Sequence, residues 1–149
     1  MNKRQRIGIF LPTWVGDVVM ATPTLQSLRC GFPEAELVGV MRPVIADLLA
    51  GSTMLDSQLL FEKNKRRGLP TRFGLTSALR VAKLDAMVLL TNSLWTAAVA
   101  KFAGIQRIVG YNRDGRGWLL TDKLAAPKVD DASKKSPALP TIDYYLRLA

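Results

Sequence analysis

Short apolar segments that alternate with helix-like segments limit the folds open to this chain more than any other feature. Each of these segments is apolar at nearly every position, as strands are when helices cover both faces of a parallel sheet. Strands and helices that alternate through right-handed crossovers predict an α/β fold, a doubly wound parallel sheet. The predicted strands are residues 6–11, 36–41, 57–61, 85–90 and 107–110.

Helices are predicted between these strands, and the first of them contains a proline. Its apolar residues from Val18 to Leu28 fall on one stripe, yet Pro23 inside a helix costs about 3 kcal/mol or more. Either the helix kinks there, or it starts afresh with Thr22 as N-cap and Pro23 at the first helical position. Residues 127–140, rich in Lys, Asp, Ser and Pro, predict a linker or surface loop. The predicted helices are residues 17–30, 43–50, 72–83, 93–103 and 142–148.

The composition is that of one globular domain, and it excludes several kinds of chemistry. The 149 residues, 48% hydrophobic and 22% charged, can bury a core of ordinary size. The chain has no histidine, which excludes Ser–His and Cys–His nucleophiles. Its one cysteine, Cys30, cannot form an internal disulfide, and no Cys/His cluster offers a metal site. Phosphate fingerprints of the GxGxxG and GxxxxGK[ST] types are missing as well, so we predict no metal and no cofactor.

The net charge of +9 is concentrated in two places. Residues 60–83 hold seven basic side chains against Glu62 alone, and Lys3, Arg4 and Arg6 lie near the start. Such concentration suggests an anionic partner, which could be phosphates, an acidic sugar, nucleic acid or a lipid surface. No apolar run approaches the roughly 18–20 residues that span a bilayer, and we predict a cytoplasmic protein.

One carboxylate, Asp17, follows the first predicted strand and turn. Ligands of open α/β sheets bind beyond the carboxyl ends of the strands, so an acid placed there is well sited to act as a general base. An acid in a first helical turn is also favoured by the helix dipole alone. Spacing by itself favours this second, structural interpretation. Gly16 beside the acid would let a substrate approach the backbone closely.

The order of motifs resembles that of the lipopolysaccharide heptosyltransferases, which are glycosyltransferases with the GT-B fold. These enzymes open with a strand, a turn, Gly-Asp, and then a Val-hydrophobic-x-Thr-x-Pro pattern. Residues 11–23 follow that order closely, although Thr141 stands where the family often has histidine. The resemblance implies that residues 1–149 form the N-terminal, acceptor-side, Rossmann-like half of a GT-B enzyme. Further similarity lies at residues 42–43, 91–93, 103–105, 110–111, 115–117, 119–122 and 143–146.

The resemblance also implies roles for individual residues. In the family the aspartate that matches Asp17 is the catalytic base. In these enzymes a basic loop after the third strand binds the phosphates and acidic sugars of the acceptor. An arginine near the glycine-rich turn, residues 110–117 here, also contacts the acceptor, and Arg116 fits that position best. We expect Asn92 and Ser93 to cap the fourth helix and to meet a substrate hydroxyl, and Trp95 to lie in the core. The predicted acceptor-binding residues are Thr13, Trp14, Gly16, Lys63, Lys65, Arg66, Arg67, Asn92, Ser93 and Arg116.

The activity implied by the resemblance is inverting, metal-independent transfer of heptose from ADP-heptose to the lipopolysaccharide inner core. The acceptor would be an anionic glycolipid of the lipid A–Kdo–heptose type, and contact with the cytoplasmic face of the inner membrane is left open. The nucleotide sugar would bind a C-terminal domain absent from these 149 residues, so we expect them to be inactive alone. Two alternatives stay open: a related GT-B glycosyltransferase with another donor or acceptor, and a non-catalytic basic α/β module that binds nucleic acid. The few aromatics near the basic loop argue against nucleic acid.

Overall fold

Six parallel strands form one sheet in the part of the chain that the structure, a computed structural model, describes: residues 4–62, 71, 73–126 and 141–149. The strand order β3-β2-β1-β4-β5-β6 is that of a Rossmann fold. The predicted doubly wound parallel sheet is therefore confirmed. The strands are β1 (Arg6–Phe10), β2 (Glu36–Met41), β3 (Ser57–Leu60), β4 (Ala86–Leu89), β5 (Arg107–Asn112) and β6 (Asp122–Ala125).

Helices cover both faces of the sheet, and each face has its own apolar core. Ile7 and Ile9 of β1 pack in the core beneath α1, α2 and α5, whereas Phe10 packs in the core beneath α3, α4 and a 3₁₀ turn. This alternation follows from the period of two along a strand. The helices are α1 (Val15–Gly31), α2 (Pro43–Leu48), α3 (Leu75–Ala82), α4 (Leu94–Phe102) and α5 (Thr141–Leu146), and the 3₁₀ turn is Arg116–Leu119.

Helix α1 runs through Pro23 without interruption. Proline has no N–H to donate to the carbonyl of Val19, and the hydroxyl of Thr22 donates to that carbonyl instead, at 2.7 Å. Of the two alternatives, the fresh start with Thr22 as N-cap is therefore wrong, because Thr22 and Pro23 both lie inside one helix. The Thr22 hydroxyl supplies a donor to a carbonyl that the proline leaves without its usual backbone partner.

Strand β6 was not among the predicted strands. It pairs in parallel with β5 from Val109↔Asp122 to Asn112↔Ala125 and closes that edge of the sheet. Its four residues alternate between half-buried and exposed, so it lacks the continuous apolar run that marked the other strands. A short edge strand with a charged start gives little signal in the sequence.

Paired charges join the amino ends of β1, β2 and β3. Arg6 donates to both carboxylate oxygens of Glu36, from Nε at 2.8 Å and from Nη2 at 2.9 Å. Asp56 accepts from Arg29 at 2.5 Å and from the backbone N–H of Leu37 at 2.7 Å. The hydrogen bond from Arg6 holds the pKa of Glu36 below its ordinary value. The charges at this edge are thus paired with one another, although the Nε of Arg29 has no hydrogen-bond partner among the described residues.

Candidate functional site

A cleft of about 510 Å³ lies at the opposite edge, beyond the carboxyl ends of the strands. It is centred between β1 and β4, which are neighbours in the sheet although the chain leaves them in opposite directions. Ligands of doubly wound sheets bind at this switch point. The cleft is therefore the place where the fold favours a ligand. Its walls are formed by Phe10, Thr13, Trp14, Arg42, Phe61, Thr91, Asn92, Ser93, Trp95, Thr96 and Asp114.

Three aromatic rings form the floor of the cleft. Phe10 lies 5.4 Å from Phe61 and 6.1 Å from Trp95, measured between ring centroids. Both phenylalanines are buried, and Trp95 is half-buried. Trp95 thus packs in the core, as expected, and also faces the cleft. Trp14 is 75% exposed at the rim, where it would be available to stack on a ligand.

Arg42 follows β2 and brings a positive charge to the cleft. Its Nε is shut off from solvent and has no hydrogen-bond partner among the described residues. No carboxylate in that part of the chain lies within ion-pair distance of its guanidinium. Because a half-buried cation without a counter-charge is costly, Arg42 favours a carboxylate or phosphate at its side of the cleft, whereas Asp114 adds a negative charge to the same lining.

The turn between β4 and α4 supplies three cleft residues: Thr91, Asn92 and Ser93. Ser93 is the N-cap of α4, and its hydroxyl accepts a hydrogen bond from the N–H of Trp95 at 3.2 Å. The capping role expected for the pair 92–93 is therefore filled by Ser93. Asn92 is held differently, because its side-chain oxygen accepts hydrogen bonds from Arg116 and Tyr144.

Arg116 lies behind this turn and is completely buried. Its guanidinium donates to the carbonyls of Tyr111 at 2.9 Å and Thr91 at 2.5 Å, and to Asn92 Oδ1 at 3.2 Å. Burial lowers the pKa of Arg116. The predicted direct contact between Arg116 and an acceptor would require these hydrogen bonds to break.

Asp17 lies in the first turn of α1, as predicted, and is half-buried. It is not one of the cleft-lining residues, although Thr13 and Trp14 just before it are. Within the described residues no group donates a hydrogen bond to its carboxylate. Its charge faces Tyr145 of α5: burial, together with that charge, raises the pKa of Tyr145 to about 12.

The structure brings together only part of the predicted site. Thr13, Trp14, Asn92 and Ser93 line one cleft, and Gly16 lies beside it with open space where a side chain would project. Lys63, Lys65, Arg66 and Arg67 lie outside the described residues, as does the linker 127–140.

Several cleft residues were missed from the sequence, above all Arg42, Thr91 and Asp114. Arg42 and Thr91 each stand immediately after a predicted strand. The rule that ligands bind beyond the carboxyl ends of strands could therefore have identified both. Asp114 lies in the glycine-rich turn after β5, in a left-handed conformation with φ 54°, and its position carried no such signal.

The described residues offer neither a metal site nor a membrane-spanning helix. No group of three or more histidine, cysteine, aspartate or glutamate side chains is placed to hold a metal ion. No helix there is long and apolar enough to cross a bilayer.

Comparison with known proteins gives relatives of one kind. No family model matches the chain. It is 32% identical over 125 residues to lipooligosaccharide heptosyltransferase 2 of Haemophilus influenzae, an alignment that covers 82% of the chain and 35% of that protein. It is 29% identical over 125 residues to lipopolysaccharide heptosyltransferase 2 of Escherichia coli, covering 78% of the chain and 34% of that protein. The chain thus spans about a third of the length of these relatives.

Solved structures agree with the sequence comparison. ADP-heptose lipopolysaccharide heptosyltransferase II of E. coli superposes with a TM-score of 0.75 at 25% identity, over 97% of this chain and 40% of that one. A glycosyl transferase of family 9 from Veillonella parvula gives the same TM-score at 19% identity, over 99% of this chain and 42% of that one. At 19% identity the second match supports the fold alone, and the chain superposes on less than half of that protein.

Proposed function

Since the chain is related to the lipopolysaccharide heptosyltransferases over about a third of their length, we propose that it forms the N-terminal, acceptor-binding part of such a glycosyltransferase. The names of the relatives indicate, for those proteins, transfer of heptose from ADP-heptose to lipopolysaccharide; the whole enzyme proposed here would transfer it to the inner core. The observation that carries the proposal is the cleft itself. It lies at the switch point of the sheet, and five of its eleven lining residues come from two segments of the family pattern, residues 11–23 and 91–93.

The chemistry of the cleft suits an anionic sugar. Hydroxyl groups of Thr13, Thr91 and Ser93, with the amide of Asn92, offer hydrogen bonds to sugar oxygens. Arg42 supplies a cation without a partner in the described part of the chain, and it would pair with a carboxylate or phosphate of the acceptor. Trp14 at the rim provides an apolar face for a ring. An acceptor of the lipid A–Kdo–heptose type combines all of these groups.

Asp17 is the proposed general base. A hydroxyl oxygen of the acceptor would attack the anomeric carbon of the donor sugar, while the bond from that carbon to the diphosphate oxygen breaks and ADP leaves. The proton of the hydroxyl would pass to the Asp17 carboxylate. Attack on the face opposite the leaving group inverts the carbon, and the step as proposed uses no metal ion. The assignment is supported by the partial exposure of Asp17 and by its place three residues after the cleft-lining Trp14.

The donor would bind a second domain, so the 149 residues alone should bind acceptor without transferring sugar. The reaction would take place in the cytoplasm, at the face of the inner membrane where the glycolipid acceptor is found. A related glycosyltransferase with another donor or acceptor would use the same cleft.

Binding and transfer assays test the proposal directly. Calorimetry of residues 1–149 with the deacylated lipid A–Kdo–heptose oligosaccharide should give saturable binding, and a generic oligonucleotide of equal charge should not compete at 0.15 M salt. Incubation with ADP-heptose and acceptor should yield no product. Binding only to the oligonucleotide would contradict the proposal in favour of a nucleic-acid module, and transfer by the 149 residues alone would contradict the need for a donor domain.

A further inference from the structure

The side-chain amide of Asn92 is held in one orientation by two donors behind the cleft. Arg116 Nη2 donates to Asn92 Oδ1 at 3.2 Å, and the Tyr144 hydroxyl donates to the same oxygen at 2.8 Å. Arginine has no acceptor atom, so the atom that faces it must be the amide oxygen. The NH₂ group then has no partner among the described residues, while Asn92 itself lines the cleft.

We propose that the Asn92 NH₂ group donates a hydrogen bond to a sugar oxygen of the bound acceptor, and that Arg116 and Tyr144 are positioning residues that aim it. This inference rests on the proposed function, because it takes the acceptor as the ligand of the cleft. Arg116 can fill this role although it is completely buried, because it acts on the acceptor through Asn92.

Arg116 is suited to positioning because the hydrogen bonds from its two Nη groups converge on the turn between β4 and α4. Besides Asn92 Oδ1 it donates to the carbonyl of Thr91 at 2.5 Å and, at 3.4 Å, to that of Ser93. The backbone on both sides of Asn92 is therefore fixed by the same side chain that fixes the amide. A planar guanidinium with several donors can do this, whereas a lysine ammonium cannot reproduce the geometry.

Tyr144 connects the cleft to α5. Its ring stacks on Tyr111 with centroids 4.1 Å apart, and the Tyr111 hydroxyl donates to the Tyr144 carbonyl at 2.5 Å. Stacking holds the ring in place without the help of its hydroxyl. Removal of the hydroxyl alone, in Tyr144→Phe, should therefore leave α5 docked and release one constraint on Asn92.

The decisive measurement is a double-mutant cycle on acceptor binding by residues 1–149. Calorimetry with the deacylated lipid A–Kdo–heptose oligosaccharide should show about fivefold or greater loss of affinity for Asn92→Ala, and about threefold loss for Tyr144→Phe. In the Asn92→Ala background, Tyr144→Phe should have no further effect. A purely structural role of Tyr144 would instead give losses that add.

Two controls separate positioning from folding. Tyr145→Phe removes a hydroxyl from the neighbouring residue of the same helix and should leave the affinity unchanged. Asn-selective NMR should show the Asn92 NH₂ pair more mobile in Tyr144→Phe, with an unchanged melting temperature. Arg116→Lys should lower affinity like Tyr144→Phe if it folds.

The outcomes distinguish this inference from the function on which it rests. If wild type fails to bind the oligosaccharide, the proposed function is wrong, and the role of Asn92 is wrong with it. If wild type binds and Asn92→Ala binds equally well, only the present inference is overturned. Additive losses in the cycle would overturn the positioning roles alone.

Discussion

The two edges of the sheet carry similar charged residues in opposite states. At the amino ends of the strands, Arg6 pairs with Glu36, and Arg4 and Arg29 both pair with Asp56, at 2.5–3.2 Å. At the carboxyl ends, Asp114 lies 3.9 Å from Arg113, but Arg42 Nε is buried without a hydrogen-bond partner, and the Asp17 carboxylate has no hydrogen-bonded or ion-paired partner in the described part of the chain.

The difference separates charged side chains that stabilise the fold by pairing with one another from charged side chains that are available to bind a ligand. A paired carboxylate stabilises the folded state, because its hydrogen bonds replace those that water made. A half-buried group without a partner contributes nothing of that kind, and it persists in the fold only at a cost. We therefore expect substitutions at the amino edge to change stability and those at the cleft edge to change binding or transfer.

The strongest test of this contrast is Asp17→Asn in a protein that carries the donor-binding domain required by the proposed function. Loss of the general base should lower kcat for heptosyl transfer by about 10²–10⁴-fold, with little change in melting temperature. Initial-rate kinetics with saturating ADP-heptose would measure it. Asp47→Asn, a similarly conservative change on the exposed surface of α2, should keep wild-type kcat. Near-normal turnover in Asp17→Asn would exclude it as the base.

At the amino edge, Asp56→Asn should destabilise residues 1–149 by about 1–3 kcal/mol, because arginine and backbone donors lose a charged acceptor. Partial burial raises the pKa of Asp56, but hydrogen bonds from Arg29 and Leu37 outweigh it and lower the pKa overall. The stabilisation is therefore present above the unfolded pKa of about 3.9 and is lost as pH falls through the lower folded pKa.

Urea unfolding of wild type and Asp56→Asn from pH 7 to pH 2 would measure this effect. The difference in free energy of unfolding should shrink below about pH 4. Acceptor affinity at pH 7 should be unchanged. A difference that persisted undiminished at pH 2 would show that the paired charge is not its source.

Arg42→Gln should have the opposite effect to Asp56→Asn: it should weaken acceptor binding without lowering stability. Loss of the cleft cation should weaken binding of the acceptor oligosaccharide by about tenfold or more, the value of a charge-assisted hydrogen bond. Stability should stay constant or rise slightly, since a half-buried charge without a partner is removed. Arg6→Gln is the matched control and should lose stability but not affinity. Equal affinity in wild type and Arg42→Gln would show that the anionic group of the acceptor does not bind at Arg42.

The smallest expected effect comes from two glycines of α1. A methyl group added at Gly16 or Gly31 would meet no atom within 4 Å, so alanine at either end of α1 should stabilise the protein by about 0.4–1 kcal/mol, chiefly by restricting the unfolded chain. Only Gly16→Ala should also weaken acceptor binding, because Gly16 lies two residues after the cleft-lining Trp14. Thermal melting and calorimetry of both variants would show whether substrate approaches this backbone; equal affinities would mean that it does not.

Much of the fold could be read from the sequence because its signals are local. Mostly apolar segments marked β1 to β5, and Asp17 fell in the first helical turn, as predicted. The edge strand β6 was missed because half of its residues face water. The course of the chain at Pro23 was open because residue type alone allows a proline either at the first position of a helix or within one.

Residue type and spacing were enough to establish the strand–helix order, the carboxylate after the first strand and the resemblance to one family. The folded arrangement was needed to show which side chains share the cleft and that Arg116 lies behind it rather than in it. Burial and hydrogen-bond partners come from residues far apart in the chain: Tyr144 reaches Asn92 across 52 positions. No local pattern encodes such a contact, because it exists only once the sheet has brought the carboxyl ends of its strands together.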